Sequence, residues 1–193
     1  VEAGAAHASL SEARRPQAPA LQDESATDSE PWRARLATAS GATELESLLQ
    51  ELDSALAAES ARTLAPVALE CARTLFAAPD ATLAQRRLAH ERGTSIARRA
   101  GLGCASIARF DLEWAYTLAD AGGQDHAREA EELALRSTSE CALAVEYQPY
   151  FWLFLANQAS ARSEWELTLA RLKRFDAGCD ALADEAERAS LRA

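Results

Sequence analysis

The chain divides by how its apolar residues are spaced. Over residues 1–42 the large apolar side chains are few (Leu10, Leu21, Trp32 and Leu36) and follow no period. Prolines stand at 16, 19 and 31 among Ala, Ser, Glu and Asp. Such a segment cannot bury enough surface to offset its ordering entropy, so it reads as an extended, low-complexity N-terminal arm. From residue 43 to 193 helical spacing takes over. Leu45, Leu48, Leu49, Leu52 and Leu56 form one stripe, opened by Thr43 and Glu46 at capping-box separation. A second helix has Pro66 in its first turn and runs to about Ala78 through Leu69, Ala72 and Leu75. Pro79-Asp80 stops it and caps a third, 81–100, with Leu83, Leu88 and Ile96 inward and Gly93 weakening its middle.

Gly101 to Gly103 marks a turn, and Ile107, Phe110, Trp114 and Leu118 then stripe a fourth helix that ends at Gly122-Gly123. A fifth spans 125–147 with Ala127, Ala130, Ala134, Cys141 and Val145 on one side. Pro149 breaks the chain before a sixth, 150–161. Ser163 and Glu166 repeat the capping-box spacing ahead of a seventh, which carries Trp165, Leu169 and Leu172, and Gly178 separates a last helix, 180–191. The pattern predicts an all-α domain over 43–193. About eight helices with short connections make antiparallel neighbours, as a short α-solenoid of hairpins or an irregular bundle.

Composition agrees. Alanine supplies 46 of 193 residues, and aromatics only 6%. Lys173 is the only lysine, which with the alanine excess is the codon bias of a GC-rich, bacterial type of genome. A net charge of −10 repels nucleic acid and anionic lipid. The longest apolar run, Tyr150 to Ala156, falls far short of the roughly 18 residues of a membrane span, so lipid contact would be peripheral at most. The chain has no methionine and starts at Val1, which suggests a processed or truncated chain. An extracytoplasmic address, periplasmic or secreted, is the expectation, with the cytoplasm as the alternative.

Four cysteines, Cys71, Cys104, Cys141 and Cys179, allow two disulfides in three connectivities, or four small buried apolar residues. None has the spacing of a zinc, redox or haem motif.

A faint repeat runs through the helical part. Ala72, Leu75, Pro79, Ala84 and Leu88 line up with Ala115, Leu118, Gly122, Ala127 and Glu131, and again with Ala156, Ala159, Ser163, Thr168 and Leu172. Each copy has a small residue, a larger apolar one three later, a turn residue, and a small residue opening the second helix. Over roughly 66–178 this resembles tetratricopeptide-like helical hairpins, best in Trp114 to Leu135. The departures are a repeat longer than the family's, Glu131 at a large apolar position, and no closing proline. The resemblance implies a right-handed solenoid with a concave binding face.

Candidate chemistry is thin. His7, His90 and His126 form no ligand or dyad spacing and read as solvated surface histidines. The acidic pairs Glu131-Glu132 and Asp184-Glu185 read as solvated too. No phosphate loop, nucleophile elbow or metal motif is present, so no catalytic residue, cofactor or metal is expected. Two features point to partners. One is the aromatic run Tyr147, Tyr150, Phe151, Trp152 and Phe154, either a core helix or an interface. The other is residues 62–99, where seven arginines (62, 73, 86, 87, 92, 98 and 99) face three acids. Arg86 and Arg87 could meet an acidic partner or the chain's own Glu129, Glu131 and Glu132.

The leading expectation is a non-enzymatic helical adaptor, an accessory subunit of a larger protein assembly. It would dock through its arm, Trp32 included, and through a helical face bearing the aromatics and arginines. The alternative is a small-molecule binder or enzyme with an inter-helix pocket near Trp114, Tyr116 and Trp152, containing Glu113, Glu140 or Glu146.

Overall fold

Nine α-helices and no strand make up the described residues (25–58, 61–142, 144–182 and 184–192) of the computed structural model. They are α1 (Ser25–Thr38), α2 (Ala42–Ala58), α3 (Ala61–Ala77), α4 (Leu83–Arg99), α5 (Cys104–Ala121), α6 (Gln124–Glu140), α7 (Gln148–Ala161), α8 (Trp165–Ala181) and α9 (Glu185–Arg192).

The first helix is the main departure from the hydrophobic pattern. The segment 1–42 was expected to be extended, yet Ser25–Thr38 is helical; the rest of that segment up to residue 24 lies outside the described residues. Its own sequence is weakly amphipathic, so neighbours hold it. Trp32 and Leu36 pack on the core, and the Arg35 guanidinium meets both Glu51 carboxylate oxygens of α2 at 2.7 and 3.0 Å. Propensity alone would not have formed this helix, and tertiary packing does.

In α2 and α5 the stripes lie where the spacing put them, whereas the expected fifth helix (125–147) stops at Glu140 and leaves Val145 exposed beyond its end. Leu45, Leu48, Leu49 and Leu52 of α2 are buried, as are Ile107, Phe110, Trp114 and Leu118 of α5. The ends differ by a few residues for local chemical reasons. α3 begins at Ala61, so Pro66 sits inside it rather than at its start. Thr82, not Asp80, caps α4: its hydroxyl accepts from Gln85 N–H while Gln85 Oε1 accepts from Thr82 N–H, a closed capping box. Asp80 instead accepts the Ala42 N–H at the start of α2. At α2 the Thr43/Glu46 box is replaced by Glu44, which accepts from the Ser40 N–H. The Ser163/Glu166 box is replaced by Glu164 as N-cap, with Ser163 at φ 60°. α8 runs straight through Gly178, whose missing side chain admits Pro149 of α7 (an added Cβ would lie 3.3 Å away).

Each helix packs on its chain neighbours or on the next helix but one. α1 meets α3, α2 meets α4, and α5 meets α7, with no contact between the two ends of the series. This is an open stack rather than a closed bundle. Alanines 65, 68, 72, 89, 97, 108, 115, 130 and 134 are buried along its seams and let the helix axes approach closely. The tightest seam joins α4 and α5. Gly93 lies against the ring of Phe110, and a Cβ there would come within 2.7 to 2.9 Å of three ring carbons.

Gly93→Ala therefore tests this seam. The gain in helix propensity is about 1 kcal/mol, and overpacking costs about 1–3 kcal/mol, so urea unfolding should show a net loss. A variant as stable as the parent would mean that the Phe110 ring moves aside without cost.

Candidate functional site

The arginine-rich stretch is resolved by the partners its side chains find. Arg87 grips Glu129 of α6 with two bonds, 2.7 and 2.9 Å. Arg92 and Arg99 both pair with Asp53 of α2. Arg98 is exposed, and the Arg62 side chain lies outside the described residues. Arg73 and Arg86 are different. Neither forms an ion pair among the described residues, and the Nε of each is buried without an acceptor. Arg86 does donate one Nη to the Ala78 carbonyl, 3.3 Å, and Arg73 lies over the Phe110 ring, 5.6 Å from its centre.

Both guanidinium groups line an open groove of about 890 Å³. Its walls come from the end of α3 (Phe76), from α4 (Arg86), from α5 (Arg109, Glu113) and from the Ala39–Gly41 and Ala78–Asp80 links. α4 packs against both α3 and α5, whose backbones stay apart; the two helices meet through side chains, Phe76 against Trp114 and Arg73 over Phe110, and the groove lies beside these contacts. A neighbouring recess of about 360 Å³ shares Arg109 and Glu113 and continues to Glu146, Tyr147 and Tyr150. Arg109 and Glu113 bond to each other at 2.9 Å, and Asp80 is held by the Ala42 amide. Neither of these acids forms an ion pair with Arg73 or Arg86.

Of the aromatic run, Tyr147 and Tyr150 reach this recess and are half-buried. Phe151 and Phe154 are buried in the chain's own core, and Trp152 lies half-buried beneath the Arg174 guanidinium, 4.9 Å from its ring centre. Trp32 packs on the core with Arg35 over its ring at 5.2 Å. The three aromatics of the alternative pocket point to different places. Trp114 is buried against Phe76 and His90, whereas Tyr116 packs edge-on against Phe154. Glu113 and Glu146 line the recess, whereas Glu140 is exposed at the end of α6.

Cys71 is buried between α2 and α3, and Cys179 is buried in α8. Cys104 and Cys141 lie together where α5 begins and α6 ends. Burial first, then contact with the Cys104 thiol, pushes the Cys141 thiol up to about 12. No disulfide joins Cys71, Cys104 or Cys141.

Two buried polar networks escaped the sequence reading. His90, expected on the surface, stacks on Trp114 and bonds through Nε2 to Asp111 Oδ1 at 2.8 Å. The Ser137 hydroxyl donates to Asp111 Oδ2 at 2.6 Å. Serine and histidine both bond the carboxylate and not each other, so this is a clamp joining α4, α5 and α6 and not a nucleophile–base relay. The signal was legible: Asp111 sits four residues after Ile107, on the buried stripe. His126 bonds locally to the Gly122 carbonyl, and His7 lies outside the described residues.

The second network centres on Glu131, also expected to be solvated. Arg171, buried in α8, bonds Glu131 and the Leu155 carbonyl, and Arg162 adds a further bond to Glu131 at 2.9 Å. Because Arg171 takes the inward position with Thr168, Phe175 and Cys179, the apolar residues of α8 are turned outward. Trp165 is 63% exposed and Leu169 61%.

Among the described residues no cluster of His, Cys, Asp and Glu could hold a metal ion, and no helix is long and apolar enough to cross a membrane. No protein-family model, curated protein or solved structure matches the chain.

The Glu131 network has a pH signature. Burial pushes its carboxyl up, but hydrogen bonds from Arg171 and Arg162, with their charge, outweigh burial and hold it below the ordinary value. A depressed carboxylate contributes stability above its unfolded pKa and loses it as pH falls through the lower, folded value. Glu131→Gln should therefore cost on the order of 1–3 kcal/mol in urea unfolding at neutral pH. The difference from the parent should vanish in acid, below the usual carboxylate range. A cost that is the same at both pH values would remove the charge from the explanation.

Proposed function

We propose that the chain is a non-enzymatic helical adaptor, an accessory subunit that joins a larger protein assembly. The observation that carries this reading is the outer face of α8. A helical stack needs a polar outer face on its terminal elements to stay soluble. Here the last well-packed helix turns Trp165 and Leu169, one turn apart on the same side, to solvent. Leu167 is also exposed. A tryptophan of this kind is the commonest anchor of an interface.

The fitting occupant is a helix of another polypeptide that lies along α8 and adds the next layer to the stack. The contact pattern of the stack, in which each layer meets only nearby layers, supports such an extension. It also supports the tetratricopeptide-like reading, as do the buried small residues Ala115 and Ala134 and the left-handed Gly122 between α5 and α6. Docking is assigned to α8 and not to Trp32, which α1 spends on its own domain.

The test is the native particle. Tagged parent protein, isolated gently from its source, should run well above 20.7 kDa with defined co-purifying chains. A Trp165→Ser/Leu169→Ser variant should run alone while keeping the same circular dichroism. A lone parent chain overturns the adaptor reading. If the purified parent self-associates and the variant does not, α8 is an interface between identical copies, and the accessory-subunit reading falls.

A further inference from the structure

We infer that the groove between α3 and α5 is a binding site for an acidic, extended segment of a partner polypeptide, held by the guanidinium groups of Arg73 and Arg86. This goes beyond the adaptor reading and uses a different surface from α8.

The argument starts from charge. The chain carries −10, and Arg87, Arg92 and Arg99 from the basic stretch each find a carboxylate within the chain. Among the described residues Arg73 and Arg86 find none, although carboxylates outnumber basic residues overall. Each has its Nε buried without an acceptor. A half-buried guanidinium gives up part of its hydration, and that loss is recovered only when an acceptor arrives. Two such groups on the wall of this groove are therefore matched to a ligand that brings oxygens with negative charge. The planar fork of arginine fits a carboxylate with two parallel bonds.

Shape then selects the kind of ligand. The 890 Å³ groove and the 360 Å³ recess share the Arg109–Glu113 pair, so together they form a trough along α3, α5 and the start of α7. Phe76 and Leu45 supply apolar wall at one end, and Tyr147 and Tyr150 supply amphipathic wall at the other. A trough with alternating cationic and apolar stretches suits a polypeptide carrying Asp or Glu beside leucine-like residues. A polyphosphate chain, charged at every unit, would meet Asp80, Glu113 and Glu146 in the same trough, whereas a polypeptide can set its acids against the arginines and uncharged residues beside those carboxylates.

The probe is a fluorescein-labelled acetylated peptide, Glu-Leu-Glu-Glu-Leu-Glu, read by fluorescence anisotropy against the full chain. The matched Gln-Leu-Gln-Gln-Leu-Gln peptide should bind at least about tenfold more weakly. An Arg73→Gln/Arg86→Gln variant should lose a similar factor for the acidic peptide, whereas Arg98→Gln, on an exposed part of α4, should bind as the parent does. The Trp165→Ser/Leu169→Ser variant should also bind as the parent does, which separates this site from docking through α8. Should the double arginine variant misfold, hydrogen exchange on the parent decides: the acidic peptide should slow exchange around 76–81 and 109–113. The proposal is overturned by equal binding of the two peptides, by binding that survives loss of both arginines, by no binding of the acidic peptide, or by protection confined to other helices. Free glutarate displacing the peptide at the peptide's own concentration also overturns it, since the site would then be a small-carboxylate pocket.

Discussion

An alanine-rich helix buries little area per turn, so it gains cohesion only by coming close to its neighbours. In this molecule the whole architecture depends on that close approach. Small residues line the seams, and a few large side chains fill what the seams leave: Phe110, Trp114, Phe151 and Phe154 are nearly inaccessible. Gly93 beneath the Phe110 ring is the extreme case, where even one methyl group has no room. Close packing between near neighbours gives a stack that grows in one direction. It also leaves an open groove beside α3 and α5, which share the neighbour α4 and meet each other through side chains.

Seams made of alanine carry little information about rotation, because one small residue replaces another without cost. Buried polar groups supply that information. Asp111 receives His90 from α4 and Ser137 from α6, and each bond is met only at one relative placement of the three helices. Arg171 does the same for α6, α7 and α8 by reaching Glu131 and the Leu155 carbonyl together. An unmade bond at either centre would leave a buried charge unpaired, so these placements are strongly specified.

The parts of the fold that were legible in the sequence follow from this division. Leucine stripes such as Leu45 to Leu56, with their flanking glycines and prolines, located most of the helices to within a few residues. The reading of α1 failed because two apolar residues in 14 give no period, and the helix depends on α2 and α3, which lie later in the chain. The spacing of Trp165, Leu169 and Leu172 in α8 marked a helix but not which side of it is buried, since a buried arginine reads as a surface residue until its carboxylate partner is known. Glu131 looked like a flaw in a repeat for the same reason. At the groove, sequence offered an excess of arginines over 62–99. Only three-dimensional pairing separates Arg87, Arg92 and Arg99, which meet carboxylates of the chain, from Arg73 and Arg86, which form no ion pair among the described residues.

That separation bears on which polar groups of the molecule are free to meet something else. Its buried polar groups are committed to holding helices in place: Asp111 has both oxygens engaged, and Glu131 is held by two arginines. Removing any of these bonds would loosen the placement of the helices they join. What remains outside these networks lies toward the surface: two guanidinium groups with no ion pair among the described residues, and the outward Trp165–Leu169 face. Unpaired charge and exposed apolar area are both relieved by contact with another molecule. The same packing that turns Trp165 and Leu169 outward and holds the α3 and α5 backbones apart therefore leaves these groups accessible, while the buried polar groups hold the helices in place.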